Sequence, residues 1–402
     1  MIKRYDYIEK IKKLIGLDTI KVLAGIRRSG KSTIMQMIIE ELKSSGIKEE
    51  NIIYINYAAF EYEDMSSKQI FEELKAKFSV KGKLYLFLDE IQEVDGWERI
   101  VNTFFDNSAY DCEIFVTGSN SRMLSREIST YLTGRYVSVP VFTLSFAEFL
   151  EFKKTYTNIG AVKDEFKNYL EFGGFPAVSK SPADRNEAYT LVKDIYNATI
   201  FTDIVKRSEI RKVDLLERIV KFAFNNVGNT FSANSIAKFL KNEKRDIDIE
   251  TIYSYLKKLE DAFILYRCSR YDIQGKEILK TLEKFYIADS SFKHAVLGYD
   301  DSDLTGVLEN IVYLELCRRG YEVYVGKYNG NEIDFAAEKQ GERVYIQVAE
   351  EISKKETADR EYGNLLKIQD NYPKYVLSTG ELAGGSHKGI KSMHIADWLL
   401  EQ

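Results

Sequence analysis

Residues Gly25-Ile26-Arg27-Arg28-Ser29-Gly30-Lys31-Ser32 follow an apolar run, Ile20 to Ala24, and lead into a helical pattern from Thr33 to Leu42. A buried strand, a turn bounded by two glycines and an immediate helix commit this part of the chain to a βα unit of a parallel sheet. The spacing also fixes a chemistry. Two glycines let the backbone bend so that successive N–H groups face a phosphate chain, Lys31 reaches the β- and γ-phosphates, and the Ser32 hydroxyl ligates Mg²⁺. Ile26, Arg27, Arg28 and Ser29 are the loop positions between the glycines, and Thr33 opens the helix whose N-terminal N–H groups and dipole add to the anion site.

A second element is expected beside this one. Lys83-Leu84-Tyr85-Leu86-Phe87-Leu88-Asp89-Glu90 is a continuous apolar run that ends in two acids, the pattern of a strand buried on both faces that delivers carboxylates to a sheet edge. It matches a Walker B segment, in which Asp89 holds Mg²⁺ through water and Glu90 orients or deprotonates the attacking water. A third strand, Glu113 to Thr117, leads into Gly118-Ser119-Asn120-Ser121. Asn120 is the first candidate there for a polar sensor of the γ-phosphate, with Ser119 and Thr117 as rivals; the alternative is a polar turn that caps the next helix. Leu132-Thr133-Gly134-Arg135-Tyr136 then sets an arginine before the strand Val137 to Val141. Arg135 is a candidate arginine finger, in cis or from a neighbouring subunit, or else a surface ion pair.

The succession GIRRSGKS, YLFLDEIQEV, FVTGSNSRML, YLTGRY and TLSFAEFLEF resembles prokaryotic AAA+-superfamily ATPases whose C-terminal part is a domain of unknown function. Gly173-Gly174-Phe175-Pro176 and the stretch Glu309-Asn310-Ile311-Val312-Tyr313-Leu314-Glu315-Leu316 match the same family. The resemblance spans most of the chain and implies an ATP-driven protein with ATP and Mg²⁺ as its cofactors.

A length of 402 residues with 45% hydrophobic content suggests two to four domains with real cores. Residues 1–142 alternate short apolar runs with helical patterns, as a parallel α/β sheet requires. Residues 143–210 lack strand patterns and read as a helical lid or linker. Residues 211–285 and 286–402 are expected to form two further domains. A formal net charge of −5 gives no global basic field for nucleic acid. Cys112, Cys268 and Cys317 are far apart and odd in number, which fits neither a disulfide framework nor a zinc knuckle and points to a reducing cytoplasm. No signal-like start and no run of about 18 apolar residues occurs, so no membrane partner is expected. His294, His387 and His394 show no metal-ligand spacing.

Between Lys212 and Phe285 the expected order is helix, short helix, helix, strand, which resembles a winged helix-turn-helix. Val205 to Phe285 holds 17 Lys and Arg against 12 Asp and Glu, a local +5 that leaves −10 on the remainder. That asymmetry favours DNA phosphate contact, with Lys257, Lys258, Arg267 and Arg270 as candidates. The third helix, Glu250 to Asp261, carries only two bases and several acids, so a protein docking module is the competing reading.

In the last hundred residues, Glu309 on a helix, Glu332-Ile333-Asp334-Phe335 on a strand and Tyr345-Ile346-Gln347-Val348-Ala349 on its partner resemble a restriction-endonuclease-like core. In active members of that class an acid on the second strand and an acid-x-lysine on the third hold Mg²⁺ and activate water. Here Gln347 stands for the acid and Ala349 for the lysine, so two parts of the cleavage machinery are missing. Lys354 or Lys355 is the sequence-local source of a replacement. Without one, the module serves DNA shape recognition or subunit contact, Glu309 pairs with Arg318 or Arg319, and Asp334 remains from an ancestral site. Three functions are thus open: an ATPase acting on DNA or a DNA-bound partner, which the motifs favour; a slow ATP-dependent switch that docks a protein complex; and an ATP-regulated nuclease. Oligomerisation is compatible with each.

Overall fold

A computed structural model of the chain describes residues 2–124, 132, 134–180, 184–207, 210, 212–245, 247–300, 302–351, 355–380 and 384–401; the side chains of residues 280–282 and 355–359 are not described. Thr133 and Lys354, named above, lie outside the described residues, as does the side chain of Lys355. The chain divides into two compact units, Met1–Val141 with Asp261–Phe263, and Phe142–Glu260 with Ile264–Gln402.

The first unit is a five-stranded parallel sheet with helices. Its elements are α1 (Tyr5–Lys12), β1 (Ile20–Ala24), α2 (Lys31–Ser44), β2 (Ile52–Asn56), α3 (Ser67–Lys77), β3 (Leu84–Asp89), α4 (Trp97–Asp106), β4 (Cys112–Gly118) and β5 (Tyr136–Pro140). The strand order is β2-β3-β4-β1-β5, and every neighbouring pair is parallel. All five residues of β1 are buried, as a strand covered on both faces requires. Leu23, Phe87, Phe115 and Val139 from the strands join Ile34, Met35 and Ile38 of α2 and Tyr7, Ile8 and Ile11 of α1 in one core. Because all strands run the same way, the loops after β1, β3 and β4 emerge at one sheet edge, the edge where open α/β sheets bind ligands.

The second unit begins with helices: α5 (Phe146–Tyr156), α6 (Val162–Phe172), α7 (Pro176–Ser179) and α8 (Arg185–Ala198), the last running on into a π-helical stretch, Thr199–Lys206. Gly173 and Gly174 owe their identity to packing here. A Cβ on Gly173, which has φ +69°, would lie 1.7 Å from Asp289 Oδ1, and one on Gly174 would lie 2.4 Å from the Leu144 carbonyl oxygen. The Gly174 N–H donates to Asp289 Oδ2 at 2.8 Å. Next come α9 (Val213–Asn225), β6 (Thr230–Phe231), α10 (Ala233–Asn242), α11 (Ile249–Asp261), β7 (Leu265–Asp272) and β8 (Glu277–Ile287). After α12 (Ser290–Leu297) and α13 (Thr305–Arg318) follow β9 (Glu322–Tyr328), β10 (Asn331–Lys339), β11 (Glu342–Ala349), α14 (Lys355–Leu366), β12 (Lys374–Ser378), β13 (Ser386–His387), β14 (Ile390–His394) and α15 (Ile395–Leu400).

These strands form one nine-stranded sheet in the order β13-β14-β12-β11-β10-β9-β7-β8-β6. β9, β10 and β11 pair antiparallel, β11 pairs parallel with β12, and β7 joins β9 in parallel. The segments read separately as 211–285 and 286–402 therefore share a sheet. Asn310 fastens α13 to it, its amide taking the N–H of Ile287 at 2.7 Å and giving to the same residue's carbonyl at 2.9 Å.

Candidate nucleotide site and a buried charge cluster

Gly30 caps α2 with φ +99°, a left-handed conformation in which glycine carries no Cβ penalty. Gly25 is required for a different reason. A Cβ there would stand 2.0 Å from the backbone oxygen of Val141, whose N–H bonds the Ala24 carbonyl at 2.8 Å. From outside the loop, the buried guanidinium of Arg4 donates to the Ser29 carbonyl at 2.9 Å and lies over the Tyr7 ring at 4.4 Å.

Lys31 is buried, its ammonium donating to the carbonyls of Gly25 and Ile26 at 3.1 Å each. Glu90 Oε1 lies 3.7 Å from the same nitrogen. The backbone of Glu90 takes φ +50°, a costly conformation for a non-glycine residue, directly after β3. Its carboxylate also accepts from Gln92 Nε2 at 2.5 Å. Asp89 is buried with a hydroxyl donor on each oxygen: Thr117 Oγ1 on Oδ1, and Tyr54 OH on Oδ2 at 2.7 Å. Thr117 Oγ1 in turn accepts the Glu90 N–H at 2.9 Å.

The expected residues are thus partly gathered. Lys31 and Glu90 meet, and Asp89 is held beside Glu90 by the hydroxyl that both share. The side chain on β4 that touches this pair is Thr117, whereas Asn120 Oδ1 accepts the Arg122 N–H at 2.9 Å and caps the short turn Ser121–Leu124. Of the two readings of Arg135, a finger or a surface ion pair, the structure forms the ion pair. Its carbonyl accepts from Ile20 N at 2.9 Å, at the start of β1, while the loop follows the end of that strand. Five residues at roughly 3.3 Å each separate those edges by about 16 Å. The Arg135 guanidinium pairs with Asp106 and lies 5.9 Å from the Phe105 ring, so it belongs to the opposite edge of the sheet. Tyr54 and Arg4 were not singled out from the sequence. A tyrosine in an apolar strand and an arginine before a helix carry no motif; they become visible through contact alone.

The loop fits a phosphate chain. Ser29 Oγ is buried and has no hydrogen-bond partner among the described residues, an orphan polar atom in a loop that a buried ammonium closes. Ser32 and Thr33 open α2, where N–H groups lack intrahelical acceptors.

The second unit holds a separate cluster. Lys284 on β8 is buried, and its ammonium lies 3.0 Å from Glu309, 2.9 Å from Glu332 and 3.8 Å from Asp334. Glu309 Oε2 also accepts from Tyr286 OH at 3.1 Å. The expected pairing of Glu309 with Arg318 or Arg319 does not form: both arginines pair with Glu315, at 2.5 and 2.8 Å. Nine or ten residues of helix put them about 14 Å along the axis from Glu309. Gln347 Oε1 accepts the Asp334 N–H at 2.8 Å, and Gln347 Nε2 donates to Glu361 at 2.6 Å. Burial pushes the carboxyls of Glu309 and Asp334 above the ordinary range, and Lys284 works against that rise. Burial also opposes the charge on Lys284, yet Glu309, Asp334 and Glu332 outweigh it and hold the ammonium above its usual value. Among the described residues no group of three or more His, Cys, Asp or Glu is arranged to hold a metal ion, and no helix is long and apolar enough to cross a membrane.

The parallel sheet, the loop from β1 into α2 and the acids at the end of β3 define an AAA-type P-loop ATPase-like domain. Residues 17–150 match the family model described as an AAA domain, and residues 163–303 match one described as a domain of unknown function (DUF8612). The chain is 37% identical over 403 residues to an uncharacterized protein of Haemophilus influenzae, covering 100% of this chain and 99% of that one. It is 31% identical over 363 residues to the uncharacterized protein MJ1544 of Methanocaldococcus jannaschii, covering 87% and 79%. The chain belongs to the family of these two proteins. Among solved structures it is similar in fold to the Walker-type ATPase PABY2304 of Pyrococcus abyssi, at 16% identity over 74% of this chain and 96% of that one, with a TM-score of 0.51.

Proposed function

We propose that the chain binds ATP with Mg²⁺ at the loop between β1 and α2 and hydrolyses it, and that hydrolysis drives a conformational change acting on DNA or on a DNA-bound partner. Lys31 takes the β- and γ-phosphates, Ser32 and Asp89 hold Mg²⁺, and Glu90 orients the attacking water. Bound Mg²⁺ supplies charge neutralisation at the transferring phosphoryl group. The supporting observation is the approach of Lys31 to Glu90, 3.7 Å apart, at the edge where Ser29 Oγ is buried and has no partner among the described residues. Lys31→Ala is expected to abolish nucleotide binding, and Glu90→Gln to retain binding and block turnover. Equal loss of binding in both variants overturns the assignment of roles.

The order α9, β6, α10, α11, β7, β8, with β6 and β7 flanking β8, supports the winged-helix reading. Two observations favour docking of a protein over docking of DNA on this module. Arg267 is already engaged by Glu260 at 2.6 Å and by Glu283 at 3.2 Å, and the exposed side of α11 presents Ile249 and Tyr253. The run α13, β9, β10, β11, α14, β12 supports a restriction-endonuclease-like core. In our reading it lacks nuclease activity, because the lysine that meets its acids, Lys284, is committed to three carboxylates, and Gln347 binds Glu361.

A further inference from the structure

A carboxylate offers about four acceptor directions, and Asp89 spends two on hydroxyls of its own chain. One comes from Thr117 in the adjacent strand. The other crosses from β2, the edge strand. Asn56 stands opposite Asp89 in the β2–β3 register and Tyr54 opposite Phe87, so Tyr54 shares a sheet face with Asp89. Tyr54 OH donates to Asp89 Oδ2 at 2.7 Å, so a hydroxyl of fixed direction faces the acid. Tyr54 is 36% exposed, so the packing that depends on it is limited, and the contact with a specific chemical consequence is the one its oxygen makes.

We propose that Tyr54 is a positioning residue for Asp89: its hydroxyl fixes the carboxylate plane, so that the metal of a metal–nucleotide complex meets a preset acceptor. The proposal rests on the reading of Asp89 as a Mg²⁺-holding residue. Outer-shell donors of this kind are worth roughly 10- to 100-fold in metal affinity, and the lower end applies because Thr117 still holds the other oxygen.

The test is binding of a fluorescent ATP analogue to the full chain, followed by anisotropy in EDTA and across a Mg²⁺ titration. Tyr54→Phe should bind the analogue as the wild type does in EDTA, yet need about tenfold more Mg²⁺ for half-maximal tightening. Thr117→Val should shift the curve the same way, and the melting temperature of Tyr54→Phe should match the wild type. A Tyr54→Phe Mg²⁺ curve that overlays the wild type overturns the proposal while the nucleotide reading stands. Loss of binding already in EDTA also overturns it, since Tyr54 then acts on the loop or the fold. Lys31→Ala separates the two levels: should it bind the analogue as well as wild type, the nucleotide reading falls and the role of Tyr54 falls with it.

Discussion

Replacing Lys284 by methionine keeps most of the side-chain volume and removes the cation that faces Glu309, Asp334 and Glu332. Glu332 is 39% exposed and contributes little, because solvent screens it. Glu309 is buried and the Asp334 side chain is 14% exposed, and breaking a buried pair by deleting one partner costs about 3–5 kcal/mol. The cost depends on pH, and its sign follows from the direction of the shifts. Both carboxyls already sit above their ordinary range through burial, and Lys284 is what limits the rise. A raised carboxyl contributes stability below its unfolded pKa and loses that contribution as pH climbs through its folded value. Without Lys284 both folded values rise further, so the penalty should be larger at pH 8 than at pH 5. Adding Glu309→Gln to the variant should recover about 2 kcal/mol at pH 8 by removing one buried charge. The chain has two tryptophans, Trp97 in the first unit and Trp398 in the second, so urea unfolding followed in a Trp97→Phe background reports the second unit alone. A Lys284→Met penalty equal at pH 5 and pH 8, or absent at both, refutes the reasoning.

Two further outcomes are expected. Gly25→Ala puts a methyl 2.0 Å from the Val141 oxygen and should destabilise the first unit by about 2–4 kcal/mol, from overpacking and a strained Ala24–Val141 hydrogen bond, read at Trp97 in a Trp398→Phe background. Arg135→Ala should leave single-chain turnover within twofold of wild type, since its guanidinium pairs with Asp106 at the far edge of the sheet; a hundredfold loss that Glu90→Gln chains complement in mixtures would show a finger supplied between chains.

How much was legible in the sequence follows the range of the interactions. The loop from Gly25 to Ser32 and the acids at Asp89 and Glu90 were readable because each rests on local rules: a glycine-bounded turn, a lysine at fixed spacing, an apolar run ending in carboxylates. Their meeting follows from parallel strands that empty onto one edge. For Arg135 the sequence left a finger and a surface ion pair open, because the turn before a strand opens at the opposite edge from the turn after it, a distinction made by strand direction and not by spacing; the structure forms the ion pair. The partner of Glu309 was sought nine and ten residues along its own helix and found 25 residues before it, on β8. A faint signal was present: Lys284 and Tyr286 alternate in a strand pattern and so share a face, and both reach Glu309. Nothing in a single sequence says which helix covers that face.

The basic excess of Val205–Phe285 remains the strongest argument for DNA, and the structure supplies a way to weigh it. Counterion release requires cations that can leave their own partners for phosphate. Arg267 is held by two carboxylates and stacked 5.5 Å from the Phe285 ring, Arg218 pairs with Glu243, and Arg245 with Asp214. Arg267 must break a half-buried clamp before it gains a phosphate, whereas the exposed Arg218 and Arg245 pairs cost little to break. The count of 17 basic residues therefore overstates the field available to DNA, chiefly at Arg267. If DNA is nevertheless the partner, it should raise ATP turnover with a steep salt dependence, and Lys257→Glu with Lys258→Glu should flatten that slope by about two phosphates' worth. If a protein docks instead, turnover should be indifferent to single-stranded, double-stranded and branched DNA, while Tyr253→Glu on the exposed side of α11 should abolish an ATP-dependent change in mass. Arg267→Ala discriminates between them: under the docking reading it loosens β7 against β8 and lowers stability by about 1 kcal/mol without altering any DNA response, whereas a selective loss of DNA stimulation would show that the Glu260–Glu283 clamp opens in function.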